Sequence, residues 1–306
     1  MSRPLFCVCV PARNEAARLP VLLDALAAQT VGGPVPVAIC INNSDDGSVA
    51  VAEAAGARHA GRLDLMIDDC RLAPSVAHAG TARGRAMAAG YDRIGGSGLL
   101  VSTDADCRPP RDWLAATMTA YAGGATLIGG RIELDDAEPI APAITAMRAR
   151  FDQYWTAVRA IEDAIDPVPH DPPARHGDHT GASLAIDAAL YRAAGGVPAI
   201  PTGEDRALVI AALGAGGRLV HPVAVWTRVS ARTEGRAAGG MALAMAELAD
   251  TIDRGDHPTV PAFAHWAERA HWRRATRATQ GVAAMLAAEE ALPPMPADMP
   301  LPNLPQ

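Results

Sequence analysis

The sequence predicts an α/β fold: a Rossmann-like, mostly parallel sheet flanked by helices, followed by a C-terminal helical extension. Three observations predict it. Short apolar runs alternate with helical periodicity over residues 5–130, the pattern of parallel strands joined by crossover helices. The polar clusters of this stretch stand where apolar runs end, at Asn14-Glu15, at Asn42 to Asp46 and at Asp104 to Asp106. Ligands of such sheets sit beyond the carboxyl ends of the strands. From about Gly240 to Leu292 the pattern is helical throughout.

Each element has its own warrant. Leu5 to Val10 is an apolar strand closed by Pro11, and Glu15 to Gln29 a helix with Leu19, Leu22, Leu23 and Leu26 on one face. Val35 to Ile41 is a second strand, running into the polar turn Asn42-Asn43-Ser44-Asp45-Asp46-Gly47-Ser48, with a helix from Val49. Leu63 to Ile67 is a third strand and Thr81 to Arg93 a helix. Leu99 to Ser102 is a fourth strand, leading straight to Asp104. The pattern weakens from Asp135 to Asp178, around a helical stretch at Ala143 to Ile165 and a Pro-rich loop. Gly181 to Ile186 reads as a strand, with helices ending at Gly195-Gly196 and running from Glu204 to Gly214. Arg218 to Trp226 reads as one last strand. The expected organisation is a sheet domain over 1–235, a helical extension over 236–292, and a Pro-rich, disordered tail over 293–306.

Hydrophobic residues make up 49% of the 306, enough for a sizeable core, and aromatics only 4%, so Ala, Val and Leu must fill it. A net charge of -7 excludes a general nucleic-acid binder, which needs a basic face, and a polybasic membrane anchor. The five cysteines include no CxxC pair, so neither a disulfide framework nor a zinc site is expected, which fits a reducing compartment. The N-terminal apolar run is too short for a signal peptide, and no stretch reaches the roughly 18 apolar residues of a membrane span. The expectation is a cytoplasmic protein without an integral membrane segment.

Asp104-Ala105-Asp106 places two carboxylates at i and i+2 past a strand end, where they can share a divalent cation that neutralises a departing diphosphate. Taken alone, such a pair is more often a solvated acidic turn. Glu204-Asp205 opens a helix, where the dipole favours carboxylates in any case. His170, His176 and His179 beside Asp171 and Asp178 fit no zinc spacing and read as part of an acceptor loop.

Taken together, the motifs resemble the family 2 glycosyltransferases of GT-A fold, over residues 5–235. Val8-Cys9-Val10-Pro11-Ala12-Arg13-Asn14-Glu15 matches the family's opening strand and loop, and Asn42 to Ser48 its N-N-S-x-D-G-[ST] turn. Gly80-Thr81-Ala82-Arg83, Asp104-Ala105-Asp106, Gly181 to Leu190 with Gly195-Gly196, and Gly203-Glu204-Asp205 follow in the family's order. The resemblance implies transfer of a single sugar from a nucleoside diphosphate sugar to a hydroxyl acceptor, with inversion. It implies that Pro11, Ala12 and Glu15 line the nucleoside pocket and that Asn42, Asn43 and Asp46 lie near base or ribose. Arg83 would clamp the diphosphate, with Arg232 or Arg236 completing the clamp. Asp106 would ligate Mg²⁺ or Mn²⁺, Asp104 would serve metal or ribose, and His221 would be a third metal ligand. Asp205 would be the general base, with Glu204 orienting the acceptor. Many relatives carry Asp directly after the second strand, where this chain offers the amides of Asn42-Asn43, a departure that loosens the base preference: a UDP-sugar is the first expectation and a GDP-sugar stays open. The Q-x-x-R-W pattern of processive synthases is absent. Two alternatives remain: a nucleotidyltransferase, against which the glycine-poor Pro11 to Glu15 loop counts, and a non-catalytic nucleotide-sugar binder.

Overall fold

A computed structural model describes residues 5–232 and 241–304. Twelve strands are found among them: β1 Phe6–Ala12, β2 Val35–Asn42, β3 Leu63–Cys70, β4 Leu99–Ser102, β5 Cys107–Arg108, β6 Leu127–Gly129, β7 Arg131–Leu134, β8 Leu184–Asp187, β9 Leu219–Val220, β10 Trp226–Val229, β11 Thr259–Val260 and β12 Met299–Pro300. The α-helices are α1 Leu19–Ala27, α2 Ser48–Arg58, α3 Ala79–Ile94, α4 Trp113–Ala122, α5 Pro142–Ile165, α6 Ala188–Ala193, α7 Glu204–Gly214, α8 Met241–Asp253, α9 Phe263–Gln280 and α10 Val282–Glu290.

The main sheet runs β3-β2-β1-β4-β8-β6-β9, parallel except at β8, which is antiparallel to both neighbours. A small sheet β5-β10-β7 stands beside it. Every residue of β2 is buried, which is why its apolar run is unbroken: a central strand is covered on both faces. β3, at the edge, carries Asp64, Asp68 and Asp69, charges that discourage further pairing. Alternation along β1 sends Phe6, Val8, Val10 and Ala12 into the core under α1, α2 and α4. Cys7 and Cys9 go into the core under α3, α6 and α7. There the small thiols let α3 come close: a Cβ on Gly90 would stand 2.6 Å from Cys9 Sγ. The cysteines act as small apolar side chains.

Several boundaries differ from expectation. β1 runs through Pro11 to Ala12, because β4 pairs only with Phe6–Cys9 and the missing N–H breaks no bond on that side. α1 starts at Leu19 rather than Glu15, and the amides of Asn14, Glu15 and Ala16 ahead of it donate to Ser44 Oγ, Ser48 Oγ and Asp46 Oδ2. The single strand expected over Arg218 to Trp226 is two strands in different sheets. His221 and Pro222 interrupt it, and the His221 amide donates to Asp171 instead of a ladder.

The C-terminal region also departs from the expected division. The disordered tail is corrected in the described part: Met299–Pro300 pairs with Thr259–Val260, and Leu301 is buried. Leu301 belongs to a third core with Tyr154, Val158 and Val260, flanked by Phe151, Phe263 and Trp266. α5 therefore packs with the C-terminal helices although it lies within the expected sheet domain. Trp266 donates to Tyr154 Oη at 2.6 Å, so this aromatic cluster is a packing face. No helix of the described residues is long and apolar enough to cross a membrane.

Candidate active site

The main sheet grows outward from β1 through β2 and β3 on one side, and from β4 on the other. The crevice at such a reversal is where doubly wound sheets bind ligands. A cleft of about 710 Å³ opens there. It brings together Pro11 and Ala12 at the end of β1, Glu15 after it, Asn42 at the end of β2, and Asp104 and Asp106 after β4. Arg83, Glu204, Asp205 and Arg232 join them from distant segments. Arg236 lies outside the described residues.

Arg83 does not project into the cleft as a free phosphate clamp. It is 4% exposed, and its guanidinium is spent on protein groups. Nε donates to Glu204 Oε1 at 3.0 Å, Nη2 to Asp104 Oδ1 at 2.8 Å, and Nη1 to Ser102 Oγ at 2.7 Å and to the Gly181 carbonyl at 3.1 Å. Burial disfavours the charge, but Asp104 and Glu204 outweigh it and move the pKa above the usual arginine value. Arg83 thus holds Asp104 and Glu204 in fixed positions. Glycine is required opposite it, because a Cβ on Gly181 would stand 2.4 Å from the guanidinium carbon.

Gly181 also positions Asp205. Its N–H donates to Asp205 Oδ2 at 2.7 Å, and Asp205 Oδ1 accepts from the Arg206 amide at 2.7 Å. Asp205 stands in the first turn of α7, behind Gly203 with φ +76°, a left-handed conformation that glycine supplies without strain. One residue, Gly181, therefore links the Arg83 cluster to the expected base through its carbonyl and its N–H.

Asp106 is largely buried, and Asp104 is nearby. Burial first, then the neighbouring charge of Asp104, pushes its pKa up to about 6 against the pull of Arg232. Arg232 Nη2 lies 2.8 Å from Asp106 Oδ2, and its two terminal nitrogens donate to both Glu15 oxygens at 2.9 and 2.7 Å. Asp104, Asp106 and Cys107 offer ligand atoms within 4.8 Å of one another. The two carboxylates suit a hard cation such as Mg²⁺ or Mn²⁺. The buried Cys107 thiol, driven well above its usual pKa by burial and these two acids, does not.

Three expected site residues stand elsewhere. Asn43, with φ +49°, exchanges hydrogen bonds with Leu72 through its amide and does not line the cleft. Asp46 accepts from Ser48 and Ala16, tying the start of α2 to the loop after β1. His221 belongs to no metal-capable group among the described residues. Its Nδ1 contacts Asp171 Oδ2 at 2.7 Å and its Nε2 contacts His179 Nδ1 at 3.3 Å, in a cluster that also holds His176. Asn42 is the contrasting case: it lines the cleft, is 2% exposed, and its Nδ2 has no partner among the described residues.

Two contributors escaped the sequence. Ser102 donates to the Gly181 carbonyl at 2.9 Å while accepting from Arg83. Glu138 accepts from Ser230 Oγ at 2.9 Å and the Ala231 amide at 3.2 Å, fixing the segment that delivers Arg232. Ser102 carried a signal, the polar end of an apolar strand. Glu138 carried none, because its role rests on contacts across 92 and 93 residues of chain.

Known proteins share this fold. The family model described as "Glycosyltransferase like family 2" matches residues 3–238, and the chain belongs to that family. It is a glycosyltransferase with a mostly parallel sheet flanked by helices. Among solved structures it is similar to S. aureus TarS, at 14% identity and TM-score 0.53, over 92% of this chain and 44% of TarS. The chain thus spans less than half the length of that protein. It is also similar to TarS 1–349 in complex with UDP-GlcNAc, at 15% identity and TM-score 0.53, over 90% of this chain and 72% of the other. A third is the mannosyltransferase PcManGT from Pyrobaculum calidifontis in complex with GDP-Man and Mn²⁺, at 19% identity and TM-score 0.50, covering 95% and 81%. No curated protein sequence matches the chain.

Proposed function

We propose that the protein transfers a single sugar from a nucleoside diphosphate sugar to a hydroxyl acceptor, with inversion, in a reaction dependent on Mg²⁺ or Mn²⁺. The observation that carries this reading is that Asp104 and Asp106 share one cleft with Asp205, at the switch point of the sheet. Its size suits a nucleotide sugar, since small-molecule clefts run from roughly 300 to 1,000 Å³. Charge supports a cation. Glu15, Asp104, Asp106, Glu204 and Asp205 line the cleft with Arg13, Arg83, Arg206 and Arg232, and Arg83 and Arg232 are already held by carboxylates, so a cation at Asp104 and Asp106 would offset the acids a diphosphate meets there.

Asp104 and Asp106 would hold the metal, which when bound neutralises the departing diphosphate. Each Asp205 oxygen keeps a lone pair beyond its backbone partner, so the carboxylate can take the proton of an acceptor hydroxyl. The freed oxygen then attacks the anomeric carbon opposite the leaving group, giving inversion. Glu204 faces Arg83 and serves as a support for Asp104 and Asp205 rather than as an acceptor contact. The unpartnered Asn42 Nδ2 would donate to a base carbonyl, which uracil and guanine both present, so a UDP-sugar and a GDP-sugar both fit; UDP-GlcNAc in TarS keeps the former first. The test is transfer from UDP- and GDP-sugars with and without EDTA, in wild type, Asp106→Ala and Asp205→Ala. Loss in all three conditions is expected, and activity that survives them overturns the reading.

A further inference from the structure

Arg232 is held unlike any other cation of the cleft. Its two terminal nitrogens grip both oxygens of Glu15, and one of them also reaches Asp106. The antiparallel pairing of β10 with β5, with Val229 opposite Cys107, brings the segment after β10 alongside Asp106. Glu138 then anchors Ser230 and Ala231, and Arg18 pairs with Glu138 from the other side. The backbone that delivers Arg232 is therefore fixed, while the side chain is held by the two acids and lines the open cleft. Arg83, the other guanidinium on the Asp104–Asp106 pair, is enclosed by Ser102, Gly181 and Glu204. It has no room to leave.

We propose that Arg232 is the built-in counter-cation of the Asp104–Asp106 site, and that a divalent ion and the side chain compete for Asp106. This rests on the metal-dependent reading above. A doubly charged ion between Asp104 and Asp106 would stand against the guanidinium that already occupies Asp106 Oδ2, and like charges at such range repel strongly away from bulk water. The ion displaces the side chain by rotation about its own bonds, and the freed guanidinium meets the donor diphosphate. Two consequences follow. The metal binds weakly while Arg232 rests on Asp106, and a nucleoside diphosphate tightens it by giving Arg232 another anion. By reciprocity the metal tightens the nucleotide by the same factor.

The experiment titrates Mn²⁺ into the full chain without nucleotide, reading free Mn²⁺ by electron paramagnetic resonance. Arg232→Met should bind Mn²⁺ about tenfold tighter than wild type, the lower end of what close charge pairs contribute. Its affinity should respond less to added UDP or GDP. Asp106→Asn should lose the site. A second measurement needs no variant: phenylglyoxal labelling of Arg232 in wild type, read by peptide mass, should rise when Mn²⁺ is added. Equal Mn²⁺ affinity in wild type and Arg232→Met, or labelling unmoved by Mn²⁺, overturns the competition and leaves the glycosyltransfer reading standing. Absence of Mn²⁺ binding in every protein overturns the metal dependence itself, and the competition with it.

Discussion

Taking the charge from Arg83 leaves the buried Glu204 with no counter-ion and Asp104 with only Arg232 nearby, and the cost at Glu204 dominates any local gain. Arg83→Met should lower unfolding free energy in a urea titration by about 3–5 kcal/mol, the usual result of removing one member of a buried ion cluster. Gly181→Ala should act on the same cluster by contact, since its Cβ would overlap the guanidinium. It should reduce transfer at least tenfold, because the peptide it displaces also holds Asp205. Retained activity in a folded Gly181→Ala protein would refute that coupling. The order of motifs placed Arg83 near the site. It could not say which anion the side chain serves, because the contacts to Ser102, Gly181 and Glu204 join segments 19 to 121 residues apart.

Among elements, legibility followed locality. β1, β2, β4, α3 and α7 announced themselves through apolar runs, turn residues and carboxylates, all features of short windows. The split of Arg218 to Trp226 was invisible because apolar residues mark burial, not membership of one sheet or another. The chain end misled for the opposite reason: its proline content resembles a disordered segment, while Met299 and Leu301 find their partners at Val260 and Tyr154. Tyr154 is central to that packing, donating to the Pro261 carbonyl at 2.7 Å while accepting from Trp266. Tyr154→Phe should therefore cost about 0.5–1.5 kcal/mol in chemical denaturation, because the half-buried Trp266 indole N–H and the Pro261 carbonyl lose their partner. A change below a few tenths would show that water replaces the hydroxyl.

At the scale of the whole molecule, acid should weaken the fold through the histidine cluster. Burial, then the neighbouring His221, lowers the His176 pKa to about 4, against about 6.5 in the unfolded chain. Between those values the unfolded chain binds more protons, so stability falls as pH drops from about 6.5 to about 4. Burial would raise Asp171, but its hydrogen bond with His221 prevails and brings it to about 2. Its contribution is lost further down, as pH falls from about 4 through about 2. Melting temperature should be lower at pH 4.5 than at pH 7, and His176→Gln should flatten the difference. An unchanged slope would assign the acid loss to other groups.

The position of β8 has a consequence in time. It is wedged between β4 and β6, both of which precede it in the chain, so β6 cannot join the main sheet until β8 has arrived. β1 to β4 need no later strand to pair among themselves, and within them β1–β2 (Val8 with Val37) and β2–β3 (Val35 with Leu63) close over short stretches of chain, so this half forms first. Val8→Ala, in the early half, should slow refolding, whereas Ile186→Ala in β8 should chiefly accelerate unfolding; stopped-flow rates would distinguish them, and the reverse pattern would refute the order. On this schedule Glu15, Asp104 and Asp106 are in place as neighbours before Gly181, Glu204 and Asp205 reach them. The cleft is finished from the side that carries Gly181 and Asp205, by the last strand to enter the middle of the sheet.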